Sequence, residues 1–296
     1  MAITTLNMTE VSRDISPALV STIGPVLDST VRVTKDPAAK TVSVNVFAEQ
    51  IGREYTQSDA SWTTDAASTT AIDVTMTQVY HIMKMNQLSA GQTPVDLVGS
   101  YLPIIGRAIG NKMFAMQNAL VTAAAYTNTD KTSTAANFDA DDVADLATNL
   151  STAKASKVGR YAVFEPAYYG ALSKDSQIQS AYAFGDDSVI KRNEIMNVHG
   201  FRLHEVSAVA ASGDVAALEG WFAAPEAFAV AFAPSAVSTP WAPTYAQVGS
   251  FTEATTGITL TTRIWDGNDG NVYIGGFVGF GIARGQTAAL TILKSA

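Results

Sequence analysis

Apolar residues take every second position over Thr41–Phe47 (Val42, Val44, Val46) and again over Ala71–Thr77 (Ile72, Val74, Met76). That is the period of a two-faced antiparallel ribbon. The intervening 48–70 segment carries Arg53, Glu54, Tyr55 and Trp62 among many Ser, Thr, Ala and Asp residues, and it is too long for a tight hairpin turn. An isolated two-stranded ribbon is marginal in water, so this one is expected to lie on a neighbour. The pattern points to assembly rather than to a catalytic cleft.

The period then changes. Leu97, Tyr101, Ile104, Ile105, Ala108, Ile109, Met113, Met116 and Leu120 recur at helical spacing behind Thr93-Pro94-Val95-Asp96, a capping hydroxyl followed by proline and a carboxylate. The predicted helix runs to about Tyr126, a rod of roughly 45–50 Å at ~1.5 Å per residue, with Pro103 kinking or breaking it. Upstream, residues 1–39 read as an arm in which Ser16-Pro17 opens a short helix interrupted by Gly24-Pro25.

Downstream, a helix starts at Phe138–Asp142 with acids in its first turn and ends through Lys154, Lys157 and Gly159. Arg160–Phe164 reads as a buried strand, Glu165–Leu172 as a helix restarted at Pro166, and Asn197–Glu205 as a turn and strand. Residues 221–231 read as a short buried helix. From about Ser250 the chain is β-rich: Ile258–Trp265 alternates, Asp266–Gly270 turns, and Asn271–Ile274 returns as the hairpin partner.

Composition narrows the function classes. The 296 residues are 47% hydrophobic and only 16% charged, against a typical ~25%, which suits a surface largely covered by other subunits. The net charge of −8, with Lys191-Arg192 the only adjacent basic pair, leaves no basic cluster for tight nucleic-acid binding. With no cysteine there is no disulfide, thiolate metal site or cysteine nucleophile. No apolar run reaches membrane-spanning length, and the first ten residues lack a signal-peptide pattern.

Candidate chemistry reads as structural. His81, His199 and His204 show no metal-ligand spacing. Asp266–Asn271 lacks the oxygen ligand and glutamate of a calcium loop at Gly270 and Phe277 and is a hairpin turn. Asp139, Asp141, Asp142 and Asp145 complement a helix dipole. The Gly275–Gly281 run follows a strand without opening a helix or supplying a P-loop lysine, so close strand packing accounts for it. No catalytic, cofactor-binding or metal-binding residue is assigned.

Taken in order, arm, ribbon, long helix, α/β middle and C-terminal strands, the chain resembles the major capsid protein of tailed double-stranded DNA phages, the Hong Kong 97-like fold. Thr41–Tyr80 is similar to that family's extended loop and Thr93–Tyr126 to its spine helix. Arg160–Leu172 followed by Gly200–Glu205 is similar to the strand, proline-started helix and glycine-led strand of its axial domain. The resemblance implies an α+β fold with an N-terminal arm (1–39), an extended β-ribbon loop (40–85), the spine helix of a peripheral domain (86–128), an axial α/β domain (129–247) and return β strands of the peripheral domain (248–296).

It further implies a structural coat protein, not an enzyme, that self-assembles into the hexamers and pentamers of an icosahedral virion capsid around double-stranded DNA. Assembly is expected in the host bacterial cytoplasm, without cofactors or membrane. The implied partners are copies of itself, a separate scaffolding protein (fewer than 40 residues precede the ribbon), a portal, decoration proteins and non-specifically contacted DNA. Arg53, Glu54, Tyr55 and Trp62 are the expected intersubunit contacts, the aromatic pair as anchors, on a loop expected to order across a neighbouring subunit. The alternative reading is the shell protein of an encapsulin-like nanocompartment on the same fold; an enzyme is the third.

Overall fold

The computed structural model describes residues 7–36, 39–47, 69–86, 97–122, 124–126, 128–183, 197–207, 209, 217–235, 247–267 and 269–296. Asn7 caps the first helix, its side-chain oxygen accepting from the Thr9 amide at 3.2 Å. Helix α1 covers Met8–Thr22, with Met8, Val11, Ile15 and Leu19 on its buried face beside Ser12 and Ser16. Pro17, expected to start a helix, sits inside it. Proline in a helix interior costs about 3 kcal/mol. Burying Ile15 and Leu19, each contributing about 1.5–3 kcal/mol, offsets this. A short helix α2 (Gly24–Leu27) and strand β1 (Thr30–Val33) follow.

The ribbon forms as expected at its base: β2 (Thr41–Phe47) pairs antiparallel with β3 (Thr69–Thr75), Val44 opposite Ile72. The second strand does not simply end. After Met76 the chain continues as β4 (Thr77–Asn86), which the sequence reading missed. The spine helix α3 covers Leu97–Asn118 and continues through Pro103 without a break. Its 22 described residues span about 33 Å, and it stops at Asn118 instead of near Tyr126. Leu120 and Val121 donate their amides to Gln117 and Asn118 in tight turns, and the Asn118 side chain is committed to Val209 O and Trp221 Nε1. Those bonds satisfy the helix end and turn the chain aside.

Two six-stranded sheets carry the rest. In the first, the 14-residue β13 (Asn271–Arg284) is central. β4 pairs along one edge of it, from Asn86 opposite Asn271 to Thr77 opposite Phe280. β12 (Thr259–Asp266) and β10 (Phe228–Ala233) share its other edge, with β11 (Gln247–Thr252) beyond β12 and β1 parallel beyond β10. The second sheet runs β5 (Lys131–Thr132), β14 (Leu290–Lys294), β9 (Leu218–Ala223), β6 (Tyr161–Phe164), β8 (Phe201–Glu205) and β7 (Asn197–Val198). Helices α4 (Ala140–Thr152), α5 (Pro166–Lys174) and α6 (Ser176–Ala183) accompany it. The C-terminal segment thus supplies β11–β13 to one sheet and β14 to the other.

The helix expected over 221–231 is replaced by β9, a 3-10 turn at Pro225–Ala227, and β10. Trp221, Phe222, Phe228, Val230 and Phe232 are all fully buried. A continuous apolar run has no period with which to choose between helix and strand, and strands covered on both faces carry such runs. One apolar core joins α1, α3 and both sheets. A smaller cluster under the ribbon holds Val42, Val44, Val46 and Val74 against Ala229 and Ala231 of β10.

Candidate assembly surfaces

Arg53, Glu54, Tyr55 and Trp62 lie outside the described residues. What the fold does place is the ribbon's base, and its apolar face is not left for another subunit. Val42, Val44 and Val46 lie on the chain's own β10, where small alanines permit a close approach. Gly281 of β13 has the Thr75 carbonyl oxygen 2.5 Å from where a Cβ would stand, so only glycine fits beneath the ribbon. This agrees with close strand packing as the role of the glycine-rich run.

The missed strand β4 places Tyr80 and Ile82 on the exposed side of the first sheet. Val79, Met83 and Met85 pack into the core, while Tyr80, Ile82 and Lys84 point outward, Tyr80 being 59% exposed. Register sets Tyr80 beside Phe277, with ring centroids 5.8 Å apart, and Lys84 beside Tyr273. The Arg263 guanidinium lies 5.0 Å from the Phe277 ring, and Trp265 stacks on Tyr273 at 5.6 Å. Asp269 accepts from Lys84 Nζ at 2.8 Å and Tyr273 Oη at 2.9 Å, bonds that hold its carboxyl well below the usual range. The Asp266–Asn271 loop is therefore a hairpin turn tied to the aromatic face. Both parities of β4 carry apolar residues, which blurred its alternation.

A polar junction ties α2 to the second sheet. Asp28 accepts from His204 Nε2 at 2.6 Å and Arg202 Nη1 at 2.8 Å. Burial pushes the Asp28 carboxyl up, but the bonds and charges of His204 and Arg202 outweigh it and leave it lowered. Beneath, Ser29 and Tyr161 share a hydrogen bond of 2.7 Å, and Gln117 Nε2 donates to Ser29 Oγ and the Pro25 carbonyl. Burial raises the Tyr161 hydroxyl well above its ordinary range. His199 occupies the β7–β8 turn with φ +48, and His81 lies on β4. Among the described residues no three His, Asp or Glu side chains are grouped to hold a metal ion. No described helix is long and apolar enough to cross a membrane.

The two ends of α4 have opposite character. At its start, Asp139 Oδ1 accepts from the Asp142 amide and Asp175 Oδ2 from the Ala140 amide. Lys131 bonds both Asp142 and Asp145 at 2.7 Å, which raises its ammonium pKa. At its end, the Arg160 guanidinium donates to the carbonyls of Ala147, Ala155 and Ser156 and to Ser151 Oγ, and burial lowers its pKa. A cation on the negative end of a helix is the favourable arrangement.

No protein-family model matches the sequence, and no curated protein matches it. Solved structures do. The capsid of cyanophage P-SCSP1u aligns over 91% of this chain and 86% of its own at 13% identity, with a TM-score of 0.56. The virus-like particle from Pyrococcus furiosus aligns over 96% and 98% at 10% identity and a TM-score of 0.55. The capsid of a native GTA particle aligns over 94% and 90% at 15% identity and a TM-score of 0.52. The chain has the phage capsid fold. At these identities it is the fold that is shared, and its α+β, Hong Kong 97-like character is the one the sequence led us to expect. Within this capsid fold, α3 is the long helix, β2–β3 the ribbon base, and β4 lays the exposed Tyr80 beside Phe277 of β13.

Proposed function

We propose that this protein is a shell-forming capsid subunit whose copies build the hexamers and pentamers of an icosahedral virion capsid around double-stranded DNA. The observation that carries the reading is a capsid fold aligned over nine-tenths of the chain with phage capsid structures. Copies of the chain are the principal partners. A separate scaffolding protein, a portal and decoration proteins belong to the same proposal, as does assembly in the host bacterial cytoplasm. With a net charge of −8, DNA contact is loose and without sequence preference, because phosphate affinity needs several cationic contacts. We assign the chain a structural rather than a catalytic role.

The division into arm, ribbon, spine, axial domain (129–247) and return strands is part of this proposal, as is the assignment of Arg53, Glu54, Tyr55 and Trp62 to a neighbouring subunit. The test is negative-stain microscopy and light scattering of the purified protein, alone and with scaffold. Closed shells are expected. A stable monomer under every assembly condition refutes the reading. Deleting residues 50–68 leaves a folded subunit that fails to make stable shells; normal assembly of the deletion overturns the ribbon's role.

One observation favours a second reading. The virus-like particle from Pyrococcus furiosus aligns over nearly the whole of both chains, which supports an encapsulin-like nanocompartment on the same fold. Nuclease-protected DNA inside purified native shells favours the virion, and a protein cargo without nucleic acid favours the compartment.

A further inference from the structure

The loop after α4 holds an apolar side chain out into water on a fixed support. Val158 is 82% exposed. Its amide donates to Ser156 Oγ at 3.2 Å. The Ser156 amide in turn donates to Glu226 Oε1 at 2.6 Å, and its carbonyl accepts from Arg160 Nε at 2.7 Å. Gly159, at φ +76, turns the chain back against Pro225. A loop bonded in this way has little conformational entropy left to lose on docking, which favours association. Lys154 and Lys157 precede Val158 in the same loop and are both exposed.

The opposite end of the same helix presents a complementary shape. A cavity of about 790 Å³ opens beside Asp139, lined by Ala135, Ala136, Phe138, Ala167 and Ala171 together with the polar Asn137, Lys174 and Asp175. Its alanines and Phe138 offer apolar contact to a branched aliphatic group within an otherwise polar lining. Asp139, Asp141, Asp142, Asp145 and Asp175 gather at this end against Lys131 and Lys174, so it is net acidic, while the Val158 end is net basic. Val158 cannot reach the cavity of its own chain, because α4 (13 residues) separates the two by about 20 Å.

We propose that Val158 and the two lysines before it dock into the cavity beside Asp139 of a second copy of this chain, forming a head-to-tail contact between opposite ends of α4. Such a contact uses different patches on the two partners and closes into a ring when its rotation closes. The inference deepens the shell reading and rests on it for the supply of neighbouring copies.

The chain contains no cysteine, so a double variant Val158→Cys with Ala136→Cys gives a clean cross-linking test. Within one chain the two thiols are too far apart to bridge, since a disulfide needs Cα atoms within about 7 Å. Under mild oxidation, a ladder of covalent oligomers is expected on a non-reducing gel, and monomer alone overturns the contact. Microscopy of the same sample separates the two ideas. Shells without a ladder sink the contact and leave the shell reading standing; a ladder without shells does the reverse; neither sinks both. As a second variant, Val158→Glu keeps the monomer's circular dichroism and raises the protein concentration needed for assembly about tenfold. An unchanged threshold in that variant overturns the proposal.

Discussion

Replacing Gly106 by alanine tests how α1 and the spine helix are held together. A Cβ built at Gly106 stands 2.7 Å from the Ile15 carbonyl oxygen and 2.9 Å from the Leu19 amide nitrogen, both backbone atoms of α1. One turn on, a Cβ at Gly110 meets the Thr22 side chain at 2.7 Å. The helices therefore touch through a Gly-x-x-x-Gly step. Alanine gains about 1 kcal/mol over glycine in a helix interior. Against that gain, overpacking costs about 1–3 kcal/mol. The helices must also part, which begins to uncover Ile15 and Leu19, now 0% and 1% exposed. The steric term wins, and Gly106→Ala is expected to destabilise by roughly 1–2 kcal/mol.

The control is Gly170→Ala in α5, where nothing lies within 4 Å of the new Cβ. There only the helix preference operates, and a gain of up to about 1 kcal/mol is expected. Urea unfolding followed by circular dichroism, with thermal melts beside it, reads both. At about 2–4 °C per kcal/mol for a chain of this general size, the two Tm values should move in opposite directions. A Gly106→Ala protein as stable as the wild type, beside a stabilised Gly170→Ala, refutes the inferred close approach.

Three further outcomes follow from the structure. The folded-state carboxyl of Asp28 lies below its unfolded value, so its contribution is present above the ordinary carboxylate range and is lost as pH falls through the lowered folded-state pKa. Asp28→Asn should flatten the acid limb of the stability–pH curve; an unchanged limb counts against the junction with His204 and Arg202. Arg160→Ala removes donors to three backbone carbonyls at the end of α4 and should cost about 2–4 kcal/mol in urea melts, with Arg160→Lys rescuing little because an ammonium cannot reproduce the planar fork. Phe222→Ala, at a fully buried ring stacked with Phe164 and edge-on to Phe201, should cost about 3–5 kcal/mol, and a change under about 1 kcal/mol contradicts the packing.

The amino-acid sequence by itself determined the elements whose burial is one-sided. Val42, Val44 and Val46 alternate because one face of β2 is covered. Val143, Leu146 and Leu150 repeat at helical spacing because one face of α4 is. Caps and turns were equally legible, since Asp139, Pro166 and the His199-Gly200 turn act through bonds within a few residues. With those elements in order, the capsid fold could be read from the chain.

Tertiary structure alone decided the rest. Residues 221–231 became two strands because both of their faces are covered by distant segments, which removes any period from the sequence. Pro17 stayed inside α1 because contacts with α3, some ninety residues away, outweigh a lost amide bond. The ribbon's apolar face lies on Ala229 and Ala231 of its own chain, a pairing no local signal announces. The aromatic contacts of β4 with β13, and the opposite charges at the ends of α4, arise only when remote segments meet. Local pattern records whether a side chain is buried; which neighbour buries it depends on contacts far apart in the chain.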